Sequence, residues 1–345
     1  MDNTWTPAKR AKCALELGQP DEIPTFELEF QLSSEIFGCE IKEPMLKAEN
    51  FTKLSGIERE RIIDSVAARY ARVFGEATAY DIGGNTRSGD PEKDSKPGLG
   101  YSIINVGYQR ELFDPSSELT VAFRKRLREY LGDTVLFGCH GDGTFSIPSG
   151  DKMYEFAYRT ADDPEGLLAE AGAKCRFAIE RNKKQKDADI DVLLLCDDYC
   201  YNSGPFLSPA MFDEYITPFL ASICKAGRES GAYVIKHTDG NIIPIIDSLV
   251  EAGPHALHSI DPMAGVDIRE VKRLYGKRVA LCGNVHCAHL QTGTDDEVRQ
   301  STEYCLRYGG EGGGYIFATS NVPFKGMPPH RYEMILDIWK SMRKY

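Results

Sequence analysis

From about residue 130 onward the chain repeats one pattern, a short apolar run followed by a longer amphipathic one. The apolar runs fall at 134–139, 191–196, 232–237, 255–260, 278–282 and 314–319. Short runs apolar on both faces are what strands of a covered parallel sheet require. Between and after them, helical periodicity covers 164–184, 208–230, 241–252, 267–275, 294–308 and 328–343. Pro209, Pro328 and Pro329 stand near helix starts, where a missing N–H costs nothing, and Gly231 and Gly253 stand where C-caps belong. Strand and helix alternating in one direction predict a parallel α/β sheet. Runs at 24–30 and 100–106 supply two more strands, enough to close a (β/α)8 TIM barrel.

The same reading sets the domain plan. Thr6 caps and Pro7 opens a helix over 7–18, expected to pack outside the barrel, so residues 1–23 form an N-terminal helical extension. Residues 32–99 are harder to read, with a helix near 57–73 and a polar loop at 83–99. No linker or repeat interrupts the chain, and one domain over 1–345 is expected, a length a barrel accommodates. The competing architecture is an open doubly wound sheet. No strand runs into a Gly-x-Gly-x-x-Gly turn, and the glycine-rich run 309–314 precedes a strand instead of opening a helix.

Charge and cysteine content exclude several functions. With 41 Lys and Arg against 52 Asp and Glu, the net charge of −11 repels phosphate backbones and argues against a nucleic-acid partner. No apolar stretch is long enough to cross a bilayer, and 1–5 lack the pattern of a signal peptide, so a cytoplasmic protein with no membrane partner is expected. The ten cysteines then read as thiols, and no Cys-x-x-Cys pair marks a zinc ribbon.

In a barrel, chemistry gathers past the C-terminal ends of the strands. Polar residues stand at nearly every one: His140 and Asp142, Asp197 and Asp198, His237 and Asp239, Asp261, Asn284 and His286, Ser320 and Asn321. Packing alone does not ask for that. His237 and Asp239, one residue apart, can point into one pocket as a cation-binding or acid–base pair; the alternative is a loop hydrogen bond without chemistry. Of the adjacent Asp197 and Asp198, one is expected to face the mouth, and Asp198 is taken as catalytic. The run from Tyr199 to Phe206 offers apolar walls, with Tyr199, Asn202 and Phe206 as substrate contacts, beside Asn284, Ser320 and Asn321. It can equally be loop packing. Cys282 and Cys287 read as small core residues before ligands, and His255 as structural.

Together these motifs resemble the uroporphyrinogen decarboxylase superfamily, which includes corrinoid-dependent methyltransferases of anaerobes. The resemblance rests on the lead-in 10–17 and 20–24, on His237-Thr238-Asp239-Gly240-Asn241, Cys282-Gly283-Asn284-Val285, Gly293-Thr294 with Glu297-Val298, and 312–321. It implies a barrel by a separate route. Two departures narrow the branch. Where the decarboxylase carries an arginine-rich loop, this chain reads Glu27-Leu28-Glu29-Phe30-Gln31, which would repel a porphyrin's carboxylates. Where the zinc methyltransferases acting on coenzyme M have a His-x-Cys pair and a later Cys, this chain has His237, Asp239 and Ser320.

The resemblance therefore implies a site of nitrogen and oxygen ligands: His237 and Asp239 with Glu29, or Glu27 in its place, and zinc as the metal. It also implies O-demethylation, with a methyl group passing from a small methoxylated aromatic to a corrinoid on a partner protein. A lyase acting on another substrate, and a corrinoid- or tetrapyrrole-binding protein without chemistry, are the other readings. A homodimer is compatible with all three.

Overall fold

The computed structural model describes residues 4–43 and 46–345; Met1–Asn3, part of the leader reading above, lie outside them. Among the described residues, seven parallel strands follow one another in chain order: β1 (Ile103–Asn105), β2 (Leu136–His140), β3 (Val192–Leu195), β4 (Tyr233–His237), β5 (Ala256–His258), β6 (Ala280–Val285) and β7 (Tyr315–Thr319). The six runs expected past residue 130 are β2 to β7, and the run at 100–106 is β1. The sheet curls until its two edges approach. Thr25 bridges Phe317 in β7 and Phe26 bridges Ile103 in β1, so segment 24–26 lies between the edges.

The strand expected over 24–30 is reduced to these two bridges. Pro24 has no N–H to give a ladder, and past Phe26 side chains replace backbone pairing. Glu27 accepts the Thr319 N–H, and Asn105 Nδ2 donates to the Leu28 carbonyl at 2.9 Å.

Alternation along the strands sorts side chains into two layers. Ile103, Leu136, Val192, Leu194, Ile235, Ala256, Ala280, Cys282, Ile316 and Ala318 pack inside the curl. Their neighbours Leu193, Leu195, Val234, Leu257, Leu281 and Phe317 face the helices. The helix Pro7–Leu15 belongs to the inner layer: Ala8, Ala11, Ala14 and Leu15 pack against that cluster. This corrects the expectation that it lies outside the barrel. Three alanines on one face let its backbone approach closely, and the Ala8 N–H donates to the Thr134 carbonyl, before β2, at 2.7 Å. The helix thus covers the N-terminal ends of the strands. It stops short of residue 18 because Leu17 turns left-handed, at φ 64°.

Most expected helices are present, with Gly231 and Gly253 at positive φ after two of them. The stretch 208–230 breaks at Ile216 into Pro209–Tyr215 and Thr217–Glu229, the second opened by Pro218. A further helix runs over Glu118–Leu131, the helix Lys152–Asp162 was not anticipated, and the polar loop at 83–99 contains a short helix, Pro91–Ser95. No described helix is long and apolar enough to cross a membrane.

Candidate active site

The register brings the polar strand ends onto one rim. β4 and β5 pair with His237 opposite His258, so two buried imidazoles meet. Their Nδ1 atoms lie 2.8 Å apart, and one donates to the other. His258 packs edge-on against Phe26, with ring centroids 5.5 Å apart. The other nitrogen of His237, Nε2, faces outward and lies 3.7 Å from Oδ1 of both Asp198 and Asp239. Ligand atoms of these three residues all lie within 4.8 Å of one another. The imidazole forms the floor, 6% exposed, while Asp239 and Asp198 open to solvent at 30% and 42%.

Local interactions hold each carboxylate. Asp198 leaves β3 on a loop clamped from the neighbouring connection: its N–H donates to Ser146 Oγ at 3.1 Å, and its carbonyl accepts the Ile147 N–H at 2.9 Å. Asp197 turns the other way and accepts the Thr144 N–H and hydroxyl, both at 2.9 Å. Fully buried Lys236 supports the same loop, donating to the Asp197 carbonyl at 2.6 Å. Asp239 accepts Ser259 Oγ at 3.0 Å on one oxygen and the Asn321 amide on the other, and its own N–H donates to Asp198 Oδ1. Gly240 lets this loop pass the hairpin of Cys200–Tyr201 and Gly204–Pro205: a Cβ there would sit 2.5 Å from the Cys200 carbonyl oxygen.

Burial, reinforced by the Lys236 charge, pushes His237 down to about 3, so its ring is neutral at neutral pH. Burial first, then the Asp198 charge, pushes Asp239 up to about 7. Hydrogen counting agrees. The Ser259 hydroxyl touches both Asp239 Oδ1 and the Ser320 carbonyl, 2.7 Å away, and has one proton to give. A proton on Asp239 satisfies both contacts.

A neutral imidazole nitrogen between two carboxylates suits a divalent cation of borderline or hard character. Such use of Nε2 places the His237 proton on Nδ1, where His258 accepts it, the usual support for a ligating histidine. A second group, His140, Asp142 and Cys196, lies nearby and suits a cation less well. Asn105 Nδ2 faces His140 Nε2 at 3.3 Å, and the amide's orientation is set by the Leu28 carbonyl and the Gly107 N–H. His140 Nε2 is therefore an acceptor, its proton sits on Nδ1 toward Asp142, and no ring lone pair remains.

The other expected contacts scatter. Glu29 is outside the triad, and burial pushes its carboxyl up. Glu27 is a buried partner of Thr319 and Tyr332. Tyr199 is core: it packs on Phe212, lies under Lys236 and bonds Thr144. Asn202 is exposed at the hairpin turn. Phe206 is half-buried against Phe156. Asn284 donates to the Ile260 carbonyl and borders a cavity of about 400 Å³ that contains none of the triad. Ser320 is buried with its hydroxyl near the Cys287 N–H, and Asn321 reaches Asp239.

The strand-end reading missed His258 and Ser259. Both are visible only once β5 is placed beside β4. A cavity of about 360 Å³ lies on the Ser146 side of the triad, lined by Phe145, Phe156, Lys152, Lys174 and Asp197 among others. Phe145, Phe156 and Phe206 form a connected aromatic wall there.

Residues 150–342 match the uroporphyrinogen decarboxylase (URO-D) family. No curated protein matches the sequence. Among solved structures, a methyltransferase from Methanosarcina mazei superposes with a TM-score of 0.64 at 16% identity, over 98% of this chain and 99% of that one. At that identity the likeness speaks for the fold. A D-psicose 3-epimerase, at TM-score 0.41 and 13% identity over 71% of this chain and 81% of its own, is too distant to carry an argument.

Proposed function

Since this chain belongs to the uroporphyrinogen decarboxylase family, we propose that it is a methyltransferase working at the Asp198–His237–Asp239 triad. It takes a methyl group from a small methylated donor, a methoxylated aromatic, and delivers it to the cobalt of a corrinoid on a partner protein. In this reading segment 24–26 is the eighth stave and the fold a (β/α)8 barrel. The observation that carries the proposal is the triad itself: one neutral imidazole and two carboxylates converging at the strand ends. The likeness in fold to the Methanosarcina mazei methyltransferase supports it.

The ligands would be His237 Nε2 and one oxygen each from Asp198 and Asp239. A divalent cation held there, zinc in the first instance, would supply Lewis-acid stabilisation to a leaving phenolate. The chain's own residues do the rest. His258 fixes the tautomer and plane of His237. Ser259 and Asn321 hold the Asp239 carboxyl, and Ser146 holds the loop that carries Asp198. The methyl–oxygen bond would break with its electron pair left on oxygen while the new carbon–cobalt bond takes both its electrons from cobalt(I) of the partner's corrinoid, and no proton transfer is needed in that step. The absence of any arginine across 27–31 disfavours a porphyrin substrate.

The test mixes enzyme, zinc, reduced corrinoid protein and a panel of methoxylated phenols and benzoates, following corrinoid methylation by absorbance. Methylation that falls about a thousandfold in His237→Ala, several kcal/mol of transition-state stabilisation, is the expected result. No methylation from any donor, with carbon dioxide released from an acid substrate, would establish the lyase reading instead. Tight binding of free corrinoid without turnover would establish the binding-protein reading.

A further inference from the structure

Glu27 lies behind the mouth, 3% exposed. The Thr319 N–H reaches its two oxygens at 3.1 and 3.2 Å, and the Tyr332 hydroxyl reaches Oε1 at 3.1 Å. Thr319 Oγ1 lies 2.5 Å from Oε2 and also touches the Asn321 carbonyl oxygen. A hydroxyl has one proton and cannot donate to both. With Glu27 ionised, one of these two close O···O contacts holds no hydrogen and sets lone pair against lone pair. With a proton on Glu27 Oε2, the acid donates to Thr319 Oγ1, Thr319 donates on to Asn321, and each contact holds one hydrogen. The count closes on the far side too. Tyr101 donates to Tyr332 across 2.5 Å, leaving the Tyr332 proton for Glu27 Oε1. At the near end, the Asn321 side-chain amide donates to Asp239.

We propose that Glu27 is a positioning residue kept as a neutral acid, whose proton orders Thr319 and the Asn321 backbone so that the Asn321 amide is aimed at Asp239. The positioning half rests on Asp239 being a site residue; the proton count does not.

The surroundings favour the neutral form. Burial pushes the carboxyl up to about 8, against the pull of the Thr319 and Tyr332 donors. The titratable groups facing it are Tyr101, Tyr332 and Cys287, all raised by burial and neutral themselves. Among the described residues no ion pair compensates a charge on Glu27, and an uncompensated buried carboxylate takes up a proton. A glutamine has the shape of this acid: its amide can donate to Thr319 Oγ1 while its oxygen accepts from the Thr319 N–H and Tyr332. Glu27→Gln therefore mimics the proton permanently, and Glu27→Ala removes it.

The experiment uses the whole, metal-free protein. Infrared difference spectra of wild type against Glu27→Gln should show a protonated carboxylic carbonyl band at neutral pH that fades as pH rises through about 8. The side-chain amide cross-peak of Asn321, assigned with Asn321→Asp, should move in both proteins as Asp239 titrates near 7, and a second time near 8 in wild type but not in Glu27→Gln. Thermal stability follows the same sign. A carboxyl raised from 4.5 to about 8 contributes stability that is complete below 4.5 and is lost as pH rises through about 8, so wild type weakens in alkali relative to Glu27→Gln. Absence of the acid band at neutral pH overturns the proposal. An acid band with the same Asn321 shifts in wild type and Glu27→Gln overturns the positioning role. If Glu27→Ala fails to fold, the Glu27→Gln comparison still decides. Neither spectroscopic readout uses turnover, so a failed methyl-transfer assay would sink the functional reading and leave this one standing.

Discussion

Burial and the Asp198 charge raise the Asp239 carboxyl, so below about pH 7 a cation would have to displace its proton. Its carboxyl is raised from 3.8 to about 7, so the neutral form stabilises the metal-free fold; that contribution is complete below 3.8 and lost as pH rises through about 7. Cation binding should then strengthen roughly tenfold per pH unit below that value and level off above it. His237, pushed down to about 3, adds no competing proton over this range. Competition against a chromogenic chelator from about pH 5.5 to 8.5 measures the slope, and Asp239→Asn should flatten it; a wild-type affinity independent of pH would contradict the assignment. His258→Phe, which removes the partner of His237 Nδ1 but keeps a ring, should cost about ten- to a hundredfold in affinity with the fold intact; unchanged affinity would make His258 mere packing. His237, Asp239 and Asp198 were legible in the sequence because a strand end places them. Tyr199 was misread for the same reason: it follows a strand, but its ring turns outward beneath Lys236. Nothing in the sequence order of 237 and 258 says that their rings touch.

At the scale of elements, the loop after β4 is where conformation and site depend on each other. Gly240 has φ 83° and its missing Cβ would meet the Cys200 and Tyr201 carbonyls, whereas Gly265, at φ 76°, faces open space. Gly265→Ala should cost about 1 kcal/mol, from the left-handed conformation alone. Gly240→Ala adds a clash with backbone and should cost about 3 kcal/mol or more while displacing Asp239. Chemical denaturation of the pair measures the difference, and equal costs would refute the close packing of loop and hairpin. Element type was mostly readable from periodicity past residue 130. The helix Lys152–Asp162 was missed although its sequence is amphipathic, and it buries only Phe156. The helix Pro7–Leu15 was found but misplaced, because an alanine face reads as weakly apolar although it permits the closest packing.

For the whole molecule, the parallel order of strands and the segment between the sheet edges were legible, and the way that segment pairs was not. The edges meet through two residues, Thr25 and Phe26, and through hydrogen bonds of Glu27 and Asn105 that no period in the sequence announces. That closure places Glu27, Thr319 and Asn321 next to Asp239, and so joins the first and last staves to the site. The triad is the proposed centre of the site, and metal loading tests it most directly. Zinc-loaded protein should hold one ion per chain, with an absorption-edge shell of nitrogen and oxygen at about 2.0–2.2 Å, and should lose it in His237→Ala. A sulfur shell at about 2.3 Å, implicating Cys196 or Cys287, or zinc retained undiminished in His237→Ala, would contradict it.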